Sequence, residues 1–350
     1  MKSVMSILLV LAGSFAFGQQ PARYHNLALE GGGIRGIAYG GALKELEAQH
    51  ILPDIKCVAG TSAGAIQAAM LAVGYTPDEI TAITFKTPIQ QFNDGKFIFF
   101  GGANRLFKQY GWYRGDKVTN WIGTLLKEKT GKADITFAEL HQLTSKNNFR
   151  DLYVTGTNLT DQRLMVFSYE TSPDMQVKHA VRISISVPLY YRAVLLDQEG
   201  HVVTKPKKEQ DVDVLVDGGV LANFPLDVFD QERYLIGRPP AATDYDSASR
   251  FYNPQTLGLR LERQEQITYN TKQPGLAPYK IEKFGDYMGA FYNVVKETLS
   301  GQRLAPQDVA RTISVSTAGF SPRVRKLTEA EKTALLASGR KGVQAFIGNR

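Results

Sequence analysis

Residues 24–48 read YHNLALEGGGIRGIAYGGALKELEA, and residues 55–73 read IKCVAGTSAGAIQAAMLAV. Each stretch is a short apolar run, then a glycine-rich turn, then an apolar-periodic segment. Tyr24 to Leu29 reads as a strand. Ile37 to Gln49 reads as a helix, because Ala38, Ala42, Leu43 and Leu46 recur at helical spacing. Ile55 to Ala59 is a second apolar run, and Ala63 to Val73 is a nearly all-apolar helix, which implies burial. Strand and helix alternating at this spacing predict an α/β fold, a central and mostly parallel sheet sandwiched by helices in three layers.

The pattern continues downstream. Lys117 to Lys127 and Thr136 to Leu143 look helical, and Leu152 to Thr157 with Leu164 to Phe167 read as a hairpin around Asp161. Met175 to Ile183 looks helical and stops before Pro188, and Val212 to Val216 is a strand ending at Asp217-Gly218-Gly219. The stretch Phe92 to Gly115 carries Phe97, Phe99, Phe100, Trp112 and Tyr113 among glycines. It reads as a loop packed on the core, with a mobile flap as the alternative. A loop rich in Pro, Ala, Ser and Asp, residues 238–254, suggests a boundary. It divides a unit at 24–237 from an α+β C-terminal extension at 238–350. The extension reads as a strand (Leu257 to Leu261), a helix (Ile281 to Leu299), a strand (Thr312 to Val315) and a helix (Glu329 to Phe346).

The N-terminus reads as an export signal over residues 1–18: Lys2, an apolar stretch from Val4 to Ala12, then small residues at Ala16 and Gly18. Cleavage is expected before Gln19, with an uncleaved anchor as the alternative. Export would leave the protein periplasmic, outer-membrane-associated or secreted. Cys57 is the single cysteine, so no intramolecular disulfide forms, and its apolar setting reads as a small buried hydrophobe. The formal net charge of +7 fits an anionic lipid surface or nucleic acid. The clusters Lys205, Lys207, Lys208 and Arg323, Arg325, Lys326 read as solvated faces.

Three motifs carry chemistry. Gly31-Gly32-Gly33-Ile34-Arg35-Gly36 follows a strand and opens a helix. Its N–H groups, backed by a helix N-terminus, form a donor site for an anion. Gly60-Thr61-Ser62-Ala63-Gly64 lies between strand and helix, the context of a nucleophile elbow. The flanking glycines allow the sharp turn, and the Ala63 N–H can meet negative charge. Asp217-Gly218-Gly219 ends a strand, where a carboxylate can project into a crevice. A lone G-x-S-x-G is weak, and the glycine loop is weaker, since it also fits G-x-G-x-x-G. The order of all three after strands is the stronger signal. Serine hydrolases commonly use histidine, but none of His25, His50, His141, His179 and His201 follows Asp217. The order serine, acid, histidine is therefore impossible with Asp217 as the acid.

The loop GGGIRG, the elbow GTSAG and the late DGG resemble the three signature motifs of the patatin-like phospholipase family, over roughly Tyr24 to Phe229. Arg182 to Pro188 (RISISVP) resembles that family's segment before its catalytic aspartate. The region after Arg238 looks like the C-terminal extension of exported bacterial members. The resemblance implies a serine acyl hydrolase cleaving lipid esters, of the phospholipase A or lysophospholipase type. It implies a Ser–Asp dyad without histidine, with Ser62 as nucleophile and Asp217 as base. Gly31, Gly32 and Gly33 would line the oxyanion hole, and Arg35 would orient the loop. Gly60, Ala63, Gly64, Gly218 and Gly219 would support them. No cofactor, metal or nucleic acid is expected; the partner is a membrane phospholipid or other lipid ester. On that reading the aromatic stretch could face lipid. An acyltransferase or general esterase on the same fold is the near alternative. A dinucleotide binder using GGGIRG, with Asp54 as its ribose acid, is the distant one. A non-catalytic lipid-binding module is a third.

Overall fold

The computed structural model describes residues 24–95, 100–146, 148–236, 251–270, 272, 275–282, 284–299, 304–321 and 325–348. The expected signal at 1–18, most of the boundary loop, Phe97, Phe99 and Arg323 lie outside the described residues. In chain order the elements begin with β1 (Asn26–Leu29), α1 (Ala38–Ala48), β2 (Cys57–Gly60), α2 (Ala63–Ala72) and α3 (Pro77–Lys86). Then come α4 (Phe100–Gln109), β3 (Gly111–Tyr113), α5 (Asp116–Thr130), α6 (Phe137–Leu143), β4 (Asp151–Asn158) and β5 (Arg163–Phe167). They are followed by α7 (Val177–Ser184), β6 (Leu189–Tyr191), β7 (Val194–Leu196), β8 (Val202–Val203) and β9 (Asp213–Asp217). The last are β10 (Thr256–Glu262), α8 (Gln264–Asn270), α9 (Phe284–Leu299), α10 (Pro306–Ala310), β11 (Thr312–Ser316) and α11 (Glu329–Gly348).

The centre of the main sheet is parallel, in the order β11-β10-β1-β2-β4, and helices flank it as expected. The remaining strands of this sheet pair antiparallel, β5 and β9 with β4, and β7 with both β9 and β8. The sheet runs across the boundary read near residue 238. Thr256 to Leu259 pair with Asn26 to Leu29, and β11 follows on the outside. The later segment is built into the sheet as well as packed on it. Its last helix, α11, crosses α1 so closely that a Cβ on Gly41 or Gly339 would run into the opposing backbone.

One detail of register positions everything that follows. Val154 of β4 pairs with both Gly60 of β2 and Phe167 of β5, so β2 and β5 lie on opposite sides of β4. Gly156 pairs with both Asp217 of β9 and Met165 of β5, so β9 also lies opposite β5. Strands β2 and β9 therefore share one side of β4, end to end. β2 is parallel to β4 and β9 antiparallel, so their C-terminal ends face each other at Thr155.

Side chains alternate between two cores. Leu27, Leu29 and Val58 point into the large cluster that buries residues of α1, α2, α7 and α11. Ala28, Ala59 and Tyr153 face the other way, where the chain after β9 covers them with Phe224, Leu226, Phe229 and Tyr234. The stretch expected as a packed loop at 92–115 contains α4 and β3 instead. Gly102 lets α4 sit directly on the Trp112 ring, and Arg105 donates to the Trp112 carbonyl at 2.9 Å. Phe100, Ala103, Leu106 and Phe107 do recur at helical spacing, a period missed in the sequence among the glycines.

Candidate active site

Ser62 stands just past the end of β2, at φ 53° and ψ −121°. This conformation costs an L residue about 1–3 kcal/mol and persists only when neighbours impose it. Here they do. The Ser62 N–H donates to Ser184 Oγ at 2.9 Å, and the Thr61 N–H donates to the Leu29 carbonyl at 3.2 Å. The Thr61 hydroxyl donates to the Ala222 carbonyl at 3.0 Å and meets the Thr155 hydroxyl at 2.6 Å. The positive φ falls on the serine itself, whereas Gly60 and Gly64 are needed for space. A Cβ on Gly64 would collide with the Leu29 carbonyl and stand 2.7 Å from that of Glu30. A Cβ on Gly60 would strike the backbone of Gly64.

Asp217 closes β9 from the other direction. Its N–H donates to the Ser186 carbonyl at 3.0 Å, and its Oδ1 accepts from the Gly219 N–H at 2.7 Å. Burial pushes its carboxyl up to about 7, while hydrogen bonds from the Gly219 amide and the Ser62 hydroxyl favour the charged form and pull the other way. No cation or histidine contributes to that balance.

The glycine loop leaves β1 beside this pair. A Cβ on Gly31 would lie 3.2 Å from Ser62 Cβ and run into Asn223 Oδ1, and one on Gly32 would enter the Leu261 side chain. Gly33 takes φ 56°, which its lack of a side chain permits. Arg35, buried, donates from Nε to the Gly32 carbonyl at 3.0 Å. Gly31, expected among the oxyanion donors, has its N–H committed to the Asn223 carbonyl at 2.9 Å. The amides of Gly32 and Gly33 open a 3₁₀ turn and donate to no backbone acceptor among the described residues, so they are free to serve.

A model of the patatin-like phospholipase family matches residues 27–230, more than half of the chain. The chain belongs to that family. It is 36% identical over 209 residues to uncharacterized protein R571 of Acanthamoeba polyphaga mimivirus, covering 59% of this chain and 62% of that protein. It is 28% identical over 215 residues to probable lipid hydrolase 463L of Invertebrate iridescent virus 6, covering 61% of this chain and 66% of that one. The chain thus spans just under two thirds of the length of these two relatives. Among solved structures its fold is similar to that of VipD from Legionella pneumophila, with a TM-score of 0.58 and 14% identity over 93% of this chain and 67% of that one.

Placement in the patatin-like phospholipase family removes the dinucleotide reading, and the coordinates supply a physical reason. Asp54 precedes β2, at the N-terminal end of the parallel strands, whereas the GGGIRG loop follows β1 at their C-terminal end, so Asp54 cannot face a ligand held there. The histidines are occupied elsewhere. His25 bonds the Asp54 carbonyl, His141 stacks on Tyr169 beside Asp151, and His201 lies beside Asp197. His179 is lowered to about 4 by burial, and His50 ends the turn after α1, away from Ser62. Burial also pushes the Cys57 thiol up to about 12, which keeps it unreactive.

Four residues of this site were not singled out in the sequence. Ser184 and Thr155 hold the elbow. Glu30, buried directly before the glycine loop, accepts from the Leu261 N–H at 2.6 Å and from Asn223 Nδ2 at 2.8 Å. Asn223 Nδ2 also reaches the Gly31 carbonyl at 3.1 Å. With its amide nitrogen held by two acceptors, Asn223 must turn its oxygen the other way, to 2.8 Å from where a Gly219 Cβ would stand. A buried Glu immediately before GGG is the one signal that could have been found in the sequence.

Proposed function

We propose that this chain is a serine acyl hydrolase acting on lipid esters, with Ser62 as nucleophile and Asp217 as its base. The observation that carries this reading is the end-to-end meeting of β2 and β9 on β4. It sets a hydroxyl on a strained turn against a buried carboxylate near neutrality, with no histidine between them. The relative 463L, a probable lipid hydrolase, agrees with a lipid substrate.

The chemistry follows from the parts. Asp217 takes the Ser62 proton as Oγ attacks the ester carbonyl, and a base with a pKa near the working pH suits that transfer. The oxyanion accepts hydrogen bonds from the Gly32 and Gly33 amides, with the N-terminus of α2 behind Ser62 adding favourable field. Asp217 returns its proton to the leaving alcohol, the acyl–Ser62 ester remains, and a water that Asp217 deprotonates releases the fatty acid. Arg35 keeps the Gly32 carbonyl turned away, so that the amides face the site.

The test is a panel of phospholipids, lysophospholipids and neutral esters given to wild type, Ser62→Ala and Asp217→Asn, with products identified. Hydrolysis lost in both variants supports the dyad, and full hydrolysis by Ser62→Ala would refute it. Acyl transfer to an added alcohol in preference to water would favour the acyltransferase alternative. Export through residues 1–18 belongs to the same proposal, and N-terminal sequencing of the mature protein checks the cut before Gln19.

A further inference from the structure

We propose that the exposed ridge formed by the end of α4 and the β3–β6 pair is the surface that seats this protein on a bilayer containing anionic phospholipid. The inference rests on the lipid-ester reading above and deepens it by naming the docking face. Four apolar side chains stand out from this ridge: Phe107 is 81% exposed, Leu189 68%, Tyr110 53% and Val187 40%. Phe107 lies in the last turn of α4, three residues before Tyr110, and the other three are neighbours. Gly111, directly after Tyr110, pairs with Leu189, and the Val187 carbonyl accepts from the Tyr190 N–H at 3.0 Å.

Two of the four are held where L residues rarely go, Tyr110 at φ 62° and Leu189 at φ 69°. A strained backbone is normally offset by what its side chain packs against. Here both strained residues carry side chains more exposed than buried, which holds them outward on the ridge. Lys108 in α4 and Arg114, directly after β3, are exposed beside the crest and make no ion pair among the described residues. An apolar crest with cations beside it matches the layering of an anionic bilayer, acyl chains beneath phosphate.

The ridge is also fastened to the candidate active site. The buried Arg182 guanidinium donates to the carbonyls of Arg114 at 2.8 Å and Arg192 at 2.9 Å, the residues directly following β3 and β6. The same guanidinium bonds the Ser186 hydroxyl, and the Ser186 carbonyl holds the Asp217 amide. These bonds tie the ridge to the backbone that positions Asp217.

The experiment is co-sedimentation of the whole chain with vesicles of phosphatidylcholine alone and of phosphatidylcholine with phosphatidylglycerol. Wild type, Phe107→Ser, Leu189→Ser and the double variant are compared. Tighter binding to the phosphatidylglycerol vesicles is expected, weakened about tenfold by each serine. Hydrolysis of vesicle lipid should fall in step, while turnover of a short-chain soluble ester stays within about twofold. Unchanged vesicle affinity in the double variant overturns the proposal. So does a wild-type dimer that the double variant converts to monomer, because the ridge would then seat a second copy. Sedimentation needs no catalysis: a wild type that binds vesicles but cleaves no ester would sink the hydrolase reading and leave the surface standing.

Discussion

Ser62 and Leu189 are both L residues held at positive φ, 53° and 69°, yet their surroundings are opposite. Around Ser62 the chain supplies a serine acceptor for its amide, a hydroxyl pair at Thr61 and Thr155, and glycines that let α2 close on β1. Around Leu189 the chain supplies a two-stranded ribbon beneath and solvent above. The first strain is offset inside the protein and aims the hydroxyl proposed as nucleophile. The second is left open and aims a side chain outward. The lesson is that strain alone does not mark a catalytic position; what the strained side chain faces decides its use.

The largest expected effect falls on the buried side of this comparison. Ser62→Ala and Asp217→Asn should each lower ester turnover at least about a thousandfold, since the proposed nucleophile and base would act as one unit. A fluorophosphonate probe should label wild type at Ser62 alone, read by peptide mass spectrometry. Labelling at another serine would detach the strain at Ser62 from catalysis.

The next effect is on pH. The folded Asp217 carboxyl lies at about 7 against its ordinary 3.8, because burial favours the neutral acid. The stability this gives is complete below the ordinary value and is lost as pH rises through about 7. Asp217→Asn escapes that loss. It should therefore be more stable than wild type at pH 8, by up to about 4 kcal/mol, with the gap closing toward pH 4. Urea unfolding at both pH values measures it. Turnover by wild type should rise with pH and level off above a midpoint near 7, because Asp217, as the proposed base, must be ionised. A pH-independent gap would mean that the carboxylate is solvated and the crevice wet.

Gly64→Ala tests the packing that forces the elbow. Its Cβ would meet two main-chain carbonyls, those of Leu29 and Glu30, which cannot rotate aside. A loss of about 2–3 kcal/mol is expected in denaturant midpoint, with activity falling further than stability. A neutral result would show that α2 can slide outward, and that the turn at Ser62 is not imposed from below.

How much of this was legible in the sequence follows from the range of each interaction. The three motifs and the strands before them were readable, because glycine spacing and apolar period are local properties. The hairpin at β4–β5 and the burial of the nearly all-apolar α2 were readable for the same reason. The helix α3 was missed although its start is local: Thr76 and Glu79 form a capping box around Pro77. The approach of β9 to β2 was not legible, since it depends on which side of β4 each strand takes. That choice also decided that Gly31 spends its amide on Asn223. The boundary near residue 238 follows composition faithfully, but composition does not report that Leu257 and Leu259 pair with Leu27 and Leu29. Ser184 and Ser186 sit in a segment noted only by resemblance; their work, holding the amides of Ser62 and Asp217, is tertiary.

The smallest effect separates the two strained positions most cleanly. Leu189→Gly removes a side chain that touches solvent and permits the backbone angle it already holds. Stability should rise by about 0.5–1 kcal/mol, since relief of the left-handed conformation exceeds the added freedom of the unfolded chain. Affinity for anionic vesicles should fall, because the same change deletes part of the crest. Gain in one quantity with loss in the other is what a position kept for an external contact must show. If Leu189→Gly loses stability as well, the side chain is packing against the protein after all, and the contrast with Ser62 collapses into one kind of strain.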